Sequence, residues 1–312
     1  MDDEQWLAGH FEQHRPRLRA VAYRMLGSLA EADDAVQDAW LRLSRSGADD
    51  VENLGGWLTT VVARVCLNML RSRGRRGEEP LEVHLPDPVI AADGALQPED
   101  AALLADSVGL ALLVVLDTLS PDERLAFVLH DMFDLPFAQI ATMIGRTPAA
   151  AKQLASRARH RVKGAEAPAD PDLARQRAVV DAFFAAARGG DFDGLVAVLH
   201  PGVQLRIDAG ARADAAPSLV QGAAAVARQA VEGFRQAFGR PGAVLHPVLV
   251  NGAAGVVVTL DGQPLTVMSF TIADGKVTGI DAISDPGRVR GLAAAVLPEG
   301  AAGGGRDPRW QR

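Results

Sequence analysis

The sequence predicts a multidomain chain, two all-α blocks followed by an α+β domain, and three observations carry that prediction. Apolar residues recur at three- and four-residue steps through residues 5–76 and again through 101–164, the period of helices with one buried face. Beyond residue 172 strand-like alternation appears, cleanly in VQLRID and less so in VVVTL and LTVMSFTI, the period of half-buried strands. Between the blocks lie two stretches without clear period, 77–100 and 165–171, rich in Pro, Gly, Asp, Glu or Ala, which read as linkers. The expected organisation is therefore 5–76, a linker 77–100, 101–164, a linker 165–171, 172–283, and a tail 284–312.

The first block justifies its helices one by one. Ser28 and Glu31 stand at capping-box spacing ahead of a stripe formed by Ala32, Ala35, Val36, Ala39, Trp40 and Leu43, so a helix starts there. A second runs from Leu54 through WLTTVVARVCLNMLRSR and ends in a basic cluster, Arg71, Arg73, Arg75 and Arg76, around Gly74. The stretch that follows is a linker or an irregular wrapping segment. The apolar run Val108 to Leu116, bounded by Asp106 and Asp117, is too short to span a bilayer and reads as a buried helix. Ser120-Pro121-Asp122-Glu123 combines an N-cap, a first-position proline and a capping-box glutamate, a complete helix start. PFAQIATMIG predicts a further helix that breaks at Gly145, and Thr147 and Pro148 begin the next as N-cap and first residue.

In the last block LARQRAVVDAFFAAARGG reads as one or two helices ended by glycine. Strands follow, and Asp274-Gly275 ahead of VTGI reads as a hairpin turn and return strand. Helices first and strands afterwards suggest helices packed on one face of an antiparallel sheet. The final residues, AAGGGRDPRWQR, are expected to be disordered.

Composition narrows the function classes. With 312 residues, 48% hydrophobic and 23% charged, the chain has room for two or three globular domains. The formal net charge of −7 argues against indiscriminate coating of nucleic acid, while leaving room for a local basic face. One cysteine, Cys66, excludes an intramolecular disulfide framework and fits a reducing cytoplasm. The start, MDDEQWLAGHFEQ, is acidic and lacks an apolar core, so no signal peptide is expected, and no membrane association. The seven histidines and one cysteine show no metal-ligand spacing, and no cofactor is implied.

Residues 147–164, TPAAAKQLASRARHRVKG, hold five Lys and Arg side chains and no carboxylate. On a helical wheel Ala151, Leu154, Ala155, Ala158 and Val162 share one face, and Lys152, Gln153, Ser156, Arg157, Arg159, His160 and Lys163 occupy the other. Two amphipathic helices joined by a glycine turn, the second basic outward, fit a helix-turn-helix. Arg can fork to guanine, Gln can pair with adenine, and Lys or Ser can hold phosphates. A solvated basic surface helix is the alternative, disfavoured by the absence of balancing acids.

In order and spacing these segments resemble a sigma-70 family transcription factor of the extracytoplasmic-function class. LSPDERLAFVLHDMFDLPFAQIATMIGRTPAAAKQLASRARHRV is similar to the sigma-4 domain that reads the −35 element, so the outward residues just named become its DNA contacts. LRAVAYRMLGSLAEADDAVQDAWLRL with LGGWLTTVVARVCLNMLRSR is similar to the sigma-2 domain. The resemblance implies that Asp33, Asp34, Gln37, Asp38, Trp40 and Leu41 grip core RNA polymerase. It implies that Arg64, Asn68, Arg71, Arg73, Arg75 and Arg76 meet the −10 element, chiefly through phosphates. The family often has Asn directly after the position of Arg64; here it is Val65.

The remainder resembles a SnoaL-like domain of the NTF2-like group, a cone-shaped α+β fold. A sigma factor with that extension looks like the SigJ-type branch, in which the extension regulates the sigma domains in cis. Three motifs accompany the branch, each altered here. Trp-Leu-Pro-Glu-Pro appears as His84-Leu85-Pro86-Asp87-Pro88, Asp-Gly-Gly-Gly-Arg as Asp208-Ala209-Gly210-Ala211-Arg212, and Asn-Pro-Asp-Lys-Leu loosely as Ser284-Asp285-Pro286-Gly287-Arg288-Val289. The resemblance implies docking through Leu85, Pro86, Asp87, Pro88, Asp208, Gly210, Arg212, Asp285, Pro286 and Arg288.

The expected function is promoter-directed initiation with core RNA polymerase and promoter DNA as partners, and the SnoaL-like fold leaves room for a small-molecule ligand. Two alternatives stand beside it. A ligand-responsive helix-turn-helix regulator would also need a sensor domain, but not the polymerase-binding helix. A fused isomerase or cyclase would need a catalytic base, for which Asp208, His200 and His246 are the nearest residues.

Overall fold

Three long helices open the chain in a computed structural model that describes residues 3–46, 53–76, 84–92, 109–165, 170–210, 219–238, 242–294 and 296–297. The chain divides into two units. One comprises residues 1–79, 97–108 and 112–165; the other comprises 80–96, 109–111 and 166–312.

In the first unit, α1 (Asp3–Leu26), α2 (Leu29–Ser46) and α3 (Leu54–Arg76) form a bundle. Its core holds Leu18, Tyr23, Met25, Val36, Leu43, Leu58 and Leu67. Burial pushes the Cys66 thiol up to about 12, which leaves it an inert packing group. The capping box expected at Ser28 forms only in half. The Glu31 N–H donates to Ser28 Oγ at 3.5 Å, while the Glu31 carboxylate pairs with Arg73 of α3.

The helical region continues with α4 (Leu110–Asp117), α5 (Pro121–Phe127), a π-helical turn (Val128–Met132), α6 (Phe137–Ile144) and α7 (Pro148–Ala165). Here the box at Ser120 is complete: Ser120 Oγ accepts from the Glu123 N–H, and the Glu123 carboxylate accepts from the Ser120 N–H. Gly145 ends α6 at φ 68, a left-handed turn that suits glycine. The Ala150 N–H donates to the Thr147 hydroxyl at 3.2 Å, capping α7.

The α5–α7 region is tied to the bundle by arginines. Arg24 of α1 is 1% exposed, its guanidinium 4.8 Å from the Phe133 ring centroid, while its carbonyl accepts from Arg124 Nε at 3.0 Å. Arg124 in turn pairs with Asp117. Arg17 donates to the Phe133 carbonyl at 3.1 Å.

In the second unit, α8 (Leu173–Gly189), α9 (Phe192–Val198) and α10 (Ala223–Gly233) accompany one seven-stranded sheet. Its strands are β1 (Ile90–Ala92), β2 (Leu199–Asp208), β3 (Leu219–Gln221), β4 (Ala243–Val250), β5 (Ala253–Leu260), β6 (Gln263–Ala273) and β7 (Lys276–Ile283). They lie in the order β1-β4-β5-β6-β7-β2-β3. Strands β4 to β7 form an antiparallel meander, and β2 then joins β7 in parallel. The expected purely antiparallel sheet is thus corrected to a mixed one, because β2 comes before the meander in sequence and is joined to it through α10. Phe183, Phe184 and Phe270 meet edge-on in the core at centroid separations of 5.4 to 5.8 Å, each pair worth about 0.5–1.5 kcal/mol beyond its burial.

Two segments hold regular structure that their sequence reading did not specify. Within the linker 77–100, residues 84–92 run extended into the second unit and end in β1, which pairs antiparallel with β4. Within the tail 284–312, Pro286–Ala293 forms α11, capped by Asp285 and packed on β6. The remaining linker residues 77–83, 93–100 and 166–169 and the stretch AAGGGRDPRWQR lie outside the described residues.

Candidate nucleic-acid interface and linker clasp

The α7 wheel is realised face by face. Ala151, Leu154, Ala155, Ala158 and Val162 are buried, and Lys152, Gln153, Arg157, His160 and Lys163 are exposed, with Ser156 and Arg159 half-buried. Two of the arginines have internal carboxylates: Arg157 lies 3.4 Å from Glu123, and Arg159 is paired with Asp131. Arg161, which sequence reasoning did not single out, also donates to Glu123, at 3.0 Å. Glu123 is thus both the cap of α5 and a brace for α7. Lys152, Gln153, His160 and Lys163 extend the exposed polar surface beside these braced arginines.

On α3, Arg64 and Asn68 are exposed one turn apart, while Arg71 donates to Asp122 of α5 at 2.7 Å and Arg73 pairs with Glu31. The expected −10 set is therefore divided between open side chains and side chains held within the protein. Of Arg75 and Arg76 only the helical backbone is described. On α2, Asp33, Asp34, Gln37, Asp38 and Leu41 share an exposed face, and Leu41 keeps 40% of its surface in water. Asp33 is bonded to Arg19 at 2.6 Å. Trp40 is half-buried, its ring 5.1 Å from that of Phe11. A row of acids around an exposed leucine suits a basic, partly apolar partner helix.

The third site is a clasp around residues 84–92. Asp208, at the end of β2, is 3% exposed. One carboxylate oxygen accepts from the Leu85 N–H at 2.8 Å and from Arg288 at 2.5 Å, and the other accepts from the Gly210 N–H at 3.1 Å. Arg288 spends its remaining donors on the segment itself, reaching the Leu85 carbonyl at 2.7 Å and the Asp87 carboxylate at 2.8 Å. His84 Nδ1 lies 3.4 Å from Asp208. Pro86 and Pro88 are buried and hold the segment extended. Asn251 closes the far end: its side chain accepts from the Val89 N–H at 2.7 Å, and its own N–H donates to the Val89 carbonyl at 2.8 Å.

Asp285 caps α11 by accepting from the Arg288 N–H at 2.8 Å, and this positions the Arg288 side chain. Gly210 has φ +64, and a Cβ there would run into the Asp285 carboxylate. Leu85, Asp87, Asp208, Gly210, Asp285 and Arg288 are therefore brought together, while Pro286 is exposed on α11 and Arg212 lies outside the described residues. Sequence reasoning missed Asn251 and the pair between half-buried Arg206 of β2 and buried Asp281 of β7, bonded at 2.5 and 3.1 Å. The Asn-Gly turn between β4 and β5 was the available signal for Asn251.

A cavity of about 310 Å³ opens on the other face of the sheet, between it and helices α8 and α10, lined by Phe183, Leu205, Val226, Phe234, Met268 and Ile280 among others. None of Asp208, His200 and His246 lines it. Asp208 is engaged in the clasp, His200 is exposed, and His246 contacts Thr259 Oγ1 at 2.9 Å, where burial lowers its basicity. No described lining residue is titratable, so the cavity offers no general base among them. Among the described residues no helix is long and apolar enough to cross a membrane.

A three-helix bundle beside a helix-turn-helix, with an acidic-apolar helix face and a basic recognition helix, defines a promoter-reading transcription factor. Residues 10–76 match the family described as sigma-70 region 2, and residues 109–162 that of sigma-70 region 4. The chain is 39% identical over 292 residues to the ECF RNA polymerase sigma factor SigJ of Mycobacterium tuberculosis, spanning 90% of this chain and 92% of that relative. It is 35% identical over 283 residues to the probable ECF RNA polymerase sigma factor SigI of the same species, spanning 91% and 94%. The crystal structure of M. tuberculosis SigJ aligns with a TM-score of 0.73 at 36% identity, over 91% of this chain and 98% of that one. The chain belongs to the extracytoplasmic-function sigma factors of the sigma-70 family.

Proposed function

We propose that the protein binds core RNA polymerase, directs it to a −35/−10 promoter, and is regulated in cis by its C-terminal domain acting on the segment between its two sigma regions. In this reading Asp34, Gln37, Asp38 and Leu41 face the polymerase, with Trp40 and Asp33 supporting that helix face. Arg64 and Asn68 meet the −10 element first, and Arg71, Arg73, Arg75 and Arg76 add phosphate contacts. Lys152, Gln153, Ser156, His160 and Lys163 take the −35 element together with Arg157 and Arg159. The work is done in the cytoplasm, where the polymerase is.

The single observation behind the regulatory part is the clasp. The chain joining the two promoter readers is not left as a free tether: residues 84–92 form an added strand and a buried bonded turn in the C-terminal domain. A tether held along part of its length shortens the span over which its two ends can search. Releasing it widens the separations that regions 2 and 4 can adopt on DNA.

The C-terminal cavity supports a small-molecule ligand rather than catalysis, since the candidate bases lie elsewhere. Run-off transcription with purified core polymerase tests the reading, comparing the full chain with truncations ending at 164 and near 290. Promoter-specific transcripts whose yield changes with truncation are the expected result. No transcript from any form would sink the sigma reading, and equal yields from all three would sink the cis-regulatory one.

A further inference from the structure

We propose that the cavity of the C-terminal domain takes a neutral, largely apolar molecule bearing a hydrogen-bond donor, and that its occupancy holds the Asp208–Arg288 clasp closed on residues 84–92. The regulatory consequence of this coupling rests on the cis-regulatory reading above, although the coupling itself does not.

The ligand class follows from the lining. The walls are aromatic and aliphatic, and no described lining residue carries a titratable group, so a charged ligand would be desolvated without a counter-charge. The deep polar groups have their donors committed. The Thr266 hydroxyl donates to the Ile283 carbonyl at 2.9 Å, and the Ser284 hydroxyl donates to Thr266 Oγ1 at 3.0 Å. What Ser284 has left to offer is lone pairs. At the rim, Gln236 donates one amide N–H to Glu232 at 2.5 Å and keeps its second N–H and its carbonyl, and Gln229 brings both kinds of group, so the rim accepts and donates alike. The deep end therefore offers an acceptor and no free hydroxyl hydrogen, so the complementary ligand donates there, as a hydroxyl or an N–H does.

The coupling follows from strand geometry. Ile207 and Ala209 line the cavity, and Asp208 between them points through the opposite face into the clasp. Ser284 also lines the cavity, and its N–H donates to the Asp208 carbonyl at 2.7 Å. The next residue, Asp285, caps the helix that carries Arg288. Asp208 thus sits one residue from the cavity wall, and Arg288 is joined to it through the cap that follows Ser284. A molecule that packs on Ile207, Ala209 and Ser284 where the closed clasp sets them binds the closed form better than the open one, and by that difference selects it. Linkage makes the effect reciprocal: opening the clasp weakens the ligand.

The test uses the full chain and 2-naphthol as the probe, with 2-naphthoate as the charged control and 2-methoxynaphthalene as the control without a donor. Calorimetric titration is expected to show binding of 2-naphthol, about tenfold weaker binding of the methyl ether, and none of the carboxylate. At 2-naphthol ten times its Kd, hydrogen exchange of the Leu85 and Val89 amides should slow by up to about tenfold. Ser284→Ala should abolish the preference for 2-naphthol over its ether, and Arg288→Ala should weaken 2-naphthol. Failure of 2-naphthol to bind, or equal binding of 2-naphthoate, overturns the ligand class. Binding that leaves exchange at 85 and 89 unchanged overturns the coupling. If exchange responds but run-off transcription ignores both ligand and Arg288→Ala, the coupling stands and the cis-regulatory reading is what fails.

Discussion

Arg71 of region 2 donates to Asp122 of region 4 at 2.7 Å, so a side chain expected at the −10 element is held by a carboxylate at the head of the helix-turn-helix. The same Asp122 lies 3.7 Å from Arg146. Both arginines keep substantial solvent exposure, where such pairs contribute no more than about 1 kcal/mol each. Promoter phosphates can therefore displace Asp122 at little cost.

Asp122→Asn is expected to release both arginines for DNA. Binding of the polymerase-bound protein to a −10/−35 duplex, followed across a salt series, should gain up to about one unit of slope for each arginine that moves to a phosphate. A slope identical to wild type would show that Asp122 does not keep either arginine from a phosphate.

Arg288→Ala removes the only side chain seen to bridge Asp208, Asp87 and the Leu85 carbonyl among the described residues. It leaves a carboxylate that is 3% exposed with the Leu85 and Gly210 N–H groups but no counter-charge from Arg288, and losing one partner of a buried pair costs up to about 3–5 kcal/mol. Limited proteolysis should then cut between 84 and 92, a segment expected to resist in wild type. Arg288→Lys should restore only part of the protection, since a point charge cannot fork to three acceptors. Wild-type resistance in Arg288→Ala would refute the clasp.

Gly210→Ala places a methyl against the Asp285 carboxylate at a backbone φ of +64. Strain of this kind costs about 1–3 kcal/mol, and it falls on the cap of α11. The expected result is a lower melting temperature with faster exchange at the Arg288 N–H. An unchanged Arg288 amide would place the strain elsewhere.

Glu123 gives the helix-turn-helix a pH dependence. Burial works to raise its carboxyl, but the Ser120 hydroxyl and N–H, with the Arg161 and Arg157 guanidinium groups, outweigh it and lower it below the usual carboxylate range. Its folded value lies under its unfolded value of about 4.3, so its stabilisation is complete above that pH and is lost as pH falls through the folded value. In urea denaturation, the advantage of wild type over Glu123→Gln should stay level from pH 7 to about 5 and shrink below it. An advantage that grows on acidification would reverse the assignment.

The sigma regions were legible because their signals are local. Ser120 and Glu123, Gly145, Thr147 and Pro148 act within four residues of where they stand in the chain, and the α7 stripe needs only a helical period. The C-terminal domain was legible as a class, yet β1, β3 and β4 escaped: a three-residue strand such as Ile90–Ala92 exists only through its partner, and in β4 Pro247 and a run of buried residues break the alternation. Helix α11 carried a readable start in Asp285-Pro286, masked by the glycine and arginine that follow. The clasp was foreshadowed by three short motifs, but its geometry joins positions up to 203 residues apart. Likewise Arg157 and Arg159 read as open DNA contacts because Glu123 and Asp131, their acids, come from other elements.

Strand β1 covers the outer edge of β4 through Ile90, Ala91 and Ala92. On the release proposed for residues 84–92, that edge would keep its hydrophobic Val248, Leu249 and Val250 but lose its partner, and an unpaired edge is a template for any extended chain. The released state is thus sticky as well as open. It exposes a docking strip that a second molecule can fill with its own copy of the same segment, so regulation by letting go carries a concentration-dependent hazard of strand exchange.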